Sequence, residues 1–197
     1  MSIDPVVPLI LPAWENVFGN TNPVEIEIGP GKGSFLLAAA QCTPDRNFFG
    51  VEFSRRRAYR IAQLIERDRP ENVIVIAADI NCILKTLILP KSVATYHLYF
   101  PDPWWKRRHH RRRLFRADFT QHLARTLIPG GKILLATDVH DYFVEIVRQL
   151  AAVPALVQFP WQRDQTNDNG KLILTDFERQ FTDDGKPIYY AGFMKYS

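Results

Sequence analysis

The sequence predicts an α/β domain: a doubly wound, mostly parallel sheet of seven strands with helices on both faces. Three observations predict it. Strand-like and helix-like segments alternate five times along the chain. A glycine-rich turn follows the first of those strands. Five acids, Glu27, Glu52, Asp79, Asp102 and Asp138, fall at or just beyond strand ends, the edge at which such sheets hold their ligands.

Residues 1–22, rich in Pro and Asn with an apolar patch at 9–11, are expected to form an irregular N-terminal arm ahead of a domain over 23–197. Residues 24–28 read as a strand ending in the glycine turn, and 34–41 as a helix built on Phe35, Leu36, Leu37 and three alanines. Strand 47–52 is followed by a helix over 55–67, whose apolar residues are interleaved with arginines. The β-branched run 72–77 is a strand stopping at Asp79, with a short helix over 82–87 after it. Strand 94–100 is halted by Pro101 and Pro103. In 114–127, Phe115, Phe119, Leu123 and Leu127 share one helical face, and Pro129-Gly130-Gly131 breaks the segment. Strand 133–137 and helix 140–150 complete the fifth alternation. The pattern then weakens: 155–159 and 188–195 read as the last two strands, and the polar stretch 163–187 as loop.

At 197 residues the chain fits one domain with a sizeable core. No apolar run approaches the roughly 20 residues of a membrane helix, and the N-terminus does not read as a secretory signal. Cys42 and Cys82 lie in helical segments away from any Cys or His cluster, which points to reduced, structural thiols in a cytoplasmic protein rather than a disulfide or metal site.

The charge is uneven. From Lys106 to Arg116 there are seven Lys or Arg and no acid. Without them, 18 cations stand against 21 acids, and the formal charge falls from +4 to −3. A local cationic patch attracts a polyanion. His109 and His110 belong to that run; no third ligand lies at metal spacing.

The turn Glu27-Ile28-Gly29-Pro30-Gly31-Lys32-Gly33 lets backbone approach a ligand closely. A dinucleotide fingerprint would place its third glycine at position 34, which is Ser. The Gly-x-Gly-x-Gly spacing after an acid resembles instead the first motif of S-adenosylmethionine (SAM) methyltransferases. SAM carries an ammonium and a sulfonium, so acids beside the turn make chemical sense. Glu52, 19 residues beyond Gly33, is placed to accept from ribose hydroxyls. Asp79 reads either as an adenine-edge contact or as a helix N-cap.

A closer resemblance covers the chain from about Val24 to its end. EIGPGKG, GVE at 50–52, FPDPWWKRRHHRRR, PGGKILLATD at 129–138 and TDFERQF at 175–181 occur in the order found in bacterial tRNA (guanine-N7-)-methyltransferases. The resemblance implies a Rossmann-like SAM enzyme that methylates N7 of the variable-loop guanine in tRNA. It implies that Glu27, Gly29, Gly31, Gly33, Glu52, Asp79 and Asp102 line the cofactor site, with Asp102 catalytic. Lys106, Asp138, Thr175, Asp176, Phe177 and Glu178 match substrate-contacting positions; Arg108, His109, His110, Arg111, Arg112 and Arg113 match a segment that touches RNA. Trp105 stands where the family usually has Pro, and the segment before the first strand is short.

Elementary chemistry agrees. Guanine N7 exposes a lone pair and no proton, so the enzyme has mainly to align and to stabilise the charge the purine acquires. Asp102, held between two prolines, suits that task. Asp138 and Glu178 are suited to accept from guanine N1–H and N2–H₂; Asp138 reads alternatively as an N-cap. Trp104 and Trp105 are candidates to stack on a base. The partner expected is tRNA, with neither DNA nor membrane, and the protein a monomer or homodimer. A SAM enzyme acting on another RNA, a nonenzymatic RNA-binding protein on a SAM fold and a nicotinamide-dependent oxidoreductase are the competing readings; Ser34 and the basic run argue against the last.

Overall fold

The computed structural model describes residues 13–106, 108–109, 113–167 and 169–196. A single seven-stranded sheet runs in the order β3-β2-β1-β4-β5-β7-β6. Its strands are β1 (Val24–Ile28), β2 (Asn47–Glu52), β3 (Val73–Ala77), β4 (Val93–Tyr99), β5 (Leu127–Thr137), β6 (Leu156–Phe159) and β7 (Tyr189–Lys195). The helices are α1 (Trp14–Phe18), α2 (Ser34–Cys42), α3 (Arg55–Asp68), α4 (Ile80–Thr86), α5 (Ala117–Thr126), α6 (His140–Ala151) and α7 (Asp176–Asp183). No helix among the described residues is long and apolar enough to cross a membrane.

β1 and β2 are buried at every position, as central strands covered on both faces must be. Alternate residues feed two separate cores. Ile26, Tyr96, Leu98 and Ile133 pack with Ile83, Phe119 and Ile146 from α4, α5 and α6. Phe48, Tyr99 and Leu134 pack on the opposite face with Phe35 and Leu36 of α2 and Ile61 of α3. Order reverses between β1 and β4, which both pair in parallel, and the carboxyl ends of those strands border a crevice.

Several expectations are corrected. The end of the N-terminal arm is not irregular: α1 packs Trp14 on Phe49 at 5.1 Å and bonds Ser92, while residues 1–12 lie outside the described part. Leu114 and Phe115 precede α5 instead of opening it. Pro129-Gly130-Gly131 ends the helix but lies inside β5. The pairing jumps there from Val93↔Leu127 to Thr95↔Lys132, so residues 128–131 are accommodated by a bulge. The polar stretch read as loop contains α7. β7 is antiparallel to both β5 and β6, a direction that residue periodicity does not encode.

Candidate active site

β1 delivers its chain into the glycine turn. Gly31 has φ 60° and donates its N–H to Glu52 Oε2 at 3.1 Å. Gly33 has φ 84° and caps α2; a Cβ there would sit 3.1 Å from the Ile61 side chain. Both positions need glycine for a backbone reason. Glu52 Oε1 accepts from Ser54 N–H at 2.8 Å and pairs with Arg57 at 2.9 Å. The buried carboxylate therefore braces the turn as well as facing the crevice. A carboxylate has roughly four acceptor positions, and three are taken.

Glu27 lies on β1 facing α2 and is 3% exposed. Its Oε2 has no hydrogen-bond partner among the described residues. Burial, helped by the Glu52 charge, pushes its carboxyl up to about 8; Arg163 and the Leu36 N–H pull the other way. Asp79 Oδ1 accepts from Asn81 N–H at 2.9 Å as the N-cap of α4, and Asp79 also lines the crevice. The N-cap reading is the one its hydrogen bond shows.

The turn after β4 lines the same crevice. Phe100 and Trp104 have φ of 51° and 49°, a conformation disfavoured for bulky residues that persists where surrounding contacts impose it. Asp102 sits between them, exposed at the wall. Arg113 supplies one of those contacts: its Nε donates to Pro103 O at 2.8 Å, its guanidinium pairs with Glu145 of α6, and it lies 4.8 Å over the Tyr142 ring. Arg113 was expected to touch RNA; with a side chain only 12% exposed, it is instead a strut of the Asp102 turn. His110, Arg111 and Arg112 lie outside the described residues. Arg108 and Lys106 are exposed, His109 is half-buried beside Trp104, and Trp105 is 73% exposed.

α7 reaches the crevice through Phe177 alone. Thr175 and Glu178 make a reciprocal capping box. Glu178 is fully buried, chelated by Arg163 at 3.1 and 2.8 Å, and accepts from Tyr190 OH at 2.9 Å. Its oxygens are committed inside the protein, so the expectation that Glu178 reads guanine is replaced by an internal role. Arg163 also lies 3.9 Å over the Tyr99 ring, immediately before the Asp102 turn. Asp176 accepts from Ser34 of α2 at 2.8 Å and from Arg179. Burial opposes its charge, but those two donors outweigh it and hold the carboxyl below the usual range. Phe177, 54% exposed, reaches the crevice and packs on Phe100 at 6.0 Å. Asp138 follows β5 at the same sheet edge but is no N-cap: Val139 holds that place without a side-chain bond.

Together these elements enclose a cavity of about 710 Å³ whose wall includes Gly29, Gly31, Glu52, Asp79, Asp102 and Phe177, a size suited to a cofactor-sized ligand. Glu27 and Gly33, expected at the cofactor, and Lys106, Asp138, Thr175, Asp176 and Glu178, expected at the substrate, are not in its wall; Glu27 lies buried behind it. The residues fit SAM: the glycine turn gives backbone access, and the orphaned Oε2 of Glu27 seeks a donor or cation. Sequence reasoning missed Arg163, Tyr190, Ser34 and Arg57. The Thr-x-x-Glu spacing at 175–178 was a legible capping signal for α7; the Arg163–Glu178 pair carries no local signature.

A family model described as "Putative methyltransferase" matches residues 21–191. The tRNA (guanine-N(7)-)-methyltransferase of Rhodopirellula baltica is 36% identical over 95% of this chain and 72% of its own length. The 16S rRNA methyltransferase KamB superposes with TM-score 0.63 at 15% identity, covering 92% of this chain and 91% of that one. A SAM-dependent O-methyltransferase from Thermotoga maritima gives TM-score 0.59 at 15% identity over 93% of this chain and 63% of that one. The two structures share the fold.

Proposed function

The chain belongs to the tRNA (guanine-N7-)-methyltransferase family, and we propose that it methylates N7 of a variable-loop guanine, with Asp102 as the catalytic group, in the cytoplasm where tRNA is matured. It is an enzyme that uses SAM as methyl donor and tRNA as acceptor. One observation carries the residue assignment: the turn holding Asp102 and the turn holding Gly31 line one cavity.

Bound there, SAM would supply an electrophilic methyl group on a sulfonium, with the neutral thioether as leaving group. Guanine N7 has no proton to lose, so no general base is needed. The purine becomes cationic, and the Asp102 carboxylate stabilises that developing charge. Glu27, buried beside the glycine turn, would receive the cofactor ammonium, Glu52 and Asp79 would receive hydroxyl and adenine donors, and the glycine turn would admit them. Phe177 offers a face at the cavity rim for the base. Lys106 and Asp138, at the same sheet edge, are the substrate-side groups, and Thr175, Asp176 and Glu178 hold α7 in place behind them.

The reading is tested by incubating the protein with tritiated SAM and unmodified tRNA transcript, then digesting to nucleosides. Label should appear in 7-methylguanosine, map to the variable loop, and vanish when 7-deazaguanine replaces guanine there. Label in another base, or none, overturns it. Asp102→Asn should lower the single-turnover rate far more than tRNA affinity.

A further inference from the structure

The basic run is not the only concentration of cations at the cavity. Residues 53–60 read Phe-Ser-Arg-Arg-Arg-Ala-Tyr-Arg, with four arginines and no acid. Taking these four and the seven of Lys106–Arg116 from the 25 cations leaves 14 against 21 acids, a formal charge of −7 for everything else. Both segments border one cavity: Phe53 and Arg57, beyond β2, and Trp104, Arg113 and Arg116, beyond β4, line it, and β1 lies between those two strands.

The geometry of α3 turns the first segment outward. Ala58 and Ile61 are buried and Arg57 pairs with Glu52. At 100° per residue, Arg55, Tyr59, Arg56 and Arg60 then follow one another around the opposite arc, and all four are exposed. Tyr59 is 66% and Phe53 77% exposed, so two aromatic rings stand among the arginines. Of the four arginines, only Arg57 is ion-paired among the described residues. Like charges spaced i, i+4 repel, and cations in the first turn oppose the helix macrodipole. Arg55, Arg56 and Arg60 form no ion pair among the described residues, so their charges are left for a polyanion.

We propose that the face formed by Phe53, Arg55, Arg56, Tyr59 and Arg60 is a second RNA-docking surface, which grips the sugar–phosphate backbone of the tRNA on the lip of the cavity, across β1 from the Asp102 turn. The arginines meet phosphates and the rings stack on a base or ribose. The target guanine is thereby held from two sides, and the strand is drawn across the mouth rather than onto one edge. The inference rests on the tRNA reading above.

Binding of unmodified tRNA transcript to the full chain across a salt series tests it. Arg55→Ala/Arg56→Ala/Arg60→Ala should weaken tRNA roughly tenfold or more and flatten the log–log salt slope by about 2–3 units, near 0.7–0.9 for each phosphate that is no longer neutralised. SAM affinity, read by calorimetry, should not change. Tyr59→Ala should weaken binding at an unchanged slope, because it removes a ring and no charge. Lys85→Ala/Lys91→Ala/Lys132→Ala removes the same charge at the other end of the strands and should leave the slope nearly as it was. If the wild type binds and methylates tRNA while the arginine triple keeps its slope and affinity, or the lysine triple flattens the slope equally, the docking surface is refuted. If the wild type neither binds nor methylates tRNA, the functional reading itself has failed.

Discussion

Glu27 is the residue whose environment makes the sharpest demand. Burial pushes its carboxyl from 4.5 up to about 8, so at neutral pH the ligand-free protein holds it mostly protonated. The sign of the linkage follows. Below pH 4.5 folded and unfolded chains are both protonated and folding does not feel the group; as pH rises from 4.5 to about 8 the unfolded chain loses its proton first, and stability falls across that window. Glu27→Gln should flatten that fall, as read by denaturant unfolding at a series of pH values. A cofactor ammonium reverses the preference and ionises Glu27. SAM binding near neutral pH should therefore release a proton and weaken as pH drops, by up to about tenfold per pH unit. Calorimetry in buffers of different ionisation enthalpy measures the proton directly. No release, or equal release by Glu27→Gln, would remove Glu27 from contact with the ammonium.

The turn and the helix that frame the site depend on contacts far away in sequence. Arg113 links Pro103 to Glu145 of α6, so Glu145→Ala frees the strut without touching cavity or RNA. It should lower the single-turnover methylation rate several-fold while leaving the salt slope of tRNA binding intact, since misplacing a positioned group costs rate steeply. A changed slope with a normal rate would return Arg113 to the phosphate-binding surface. α7 is short, and its position rests on the capping box and the buried Arg163–Glu178 pair. Leaving one member of such a pair alone costs about 3–5 kcal/mol. Glu178→Ala should lose stability on that scale in chemical denaturation. A variant of normal stability that accepts other purines would instead put Glu178 on the substrate.

Across the whole molecule, legibility tracked locality. β1, β2 and β4 were readable because apolar residues recur along strands buried on both faces, β3 because it is a β-branched run, and α5 and α6 because each carries its own apolar stripe. The glycine turn, the strand-end acids and the FPDPW turn were readable because their spacing is their chemistry. In the C-terminal part the two strands at 155–159 and 188–195 were placed, but α7 and the strand direction were not. The antiparallel course of β7 leaves no mark on residue order, and the internal role of Glu178 depends on Arg163, 15 residues away, and on Tyr190. Arg113 looked like one more phosphate ligand until Glu145, 32 residues on, was beside it. Those same long-range contacts make a prediction about cooperativity. α7 is tied to α2 through Ser34–Asp176, to the Asp102 turn through Phe100–Phe177, and to β7 through Tyr190–Glu178. Cofactor binding between β1, β2 and that turn should therefore stabilise the chain as a unit. At a hundredfold excess over Kd the gain is about 2.7 kcal/mol, and for a chain of this size each kcal/mol moves the midpoint by about 2–4 °C. Calorimetric melting with SAM should show one transition raised by roughly 5–10 °C. Two transitions, of which only one moves, would show that α7 and β7 unfold apart from the cofactor-binding half, and the contacts through Ser34, Phe177 and Glu178 would then be too weak to carry the coupling assigned to them.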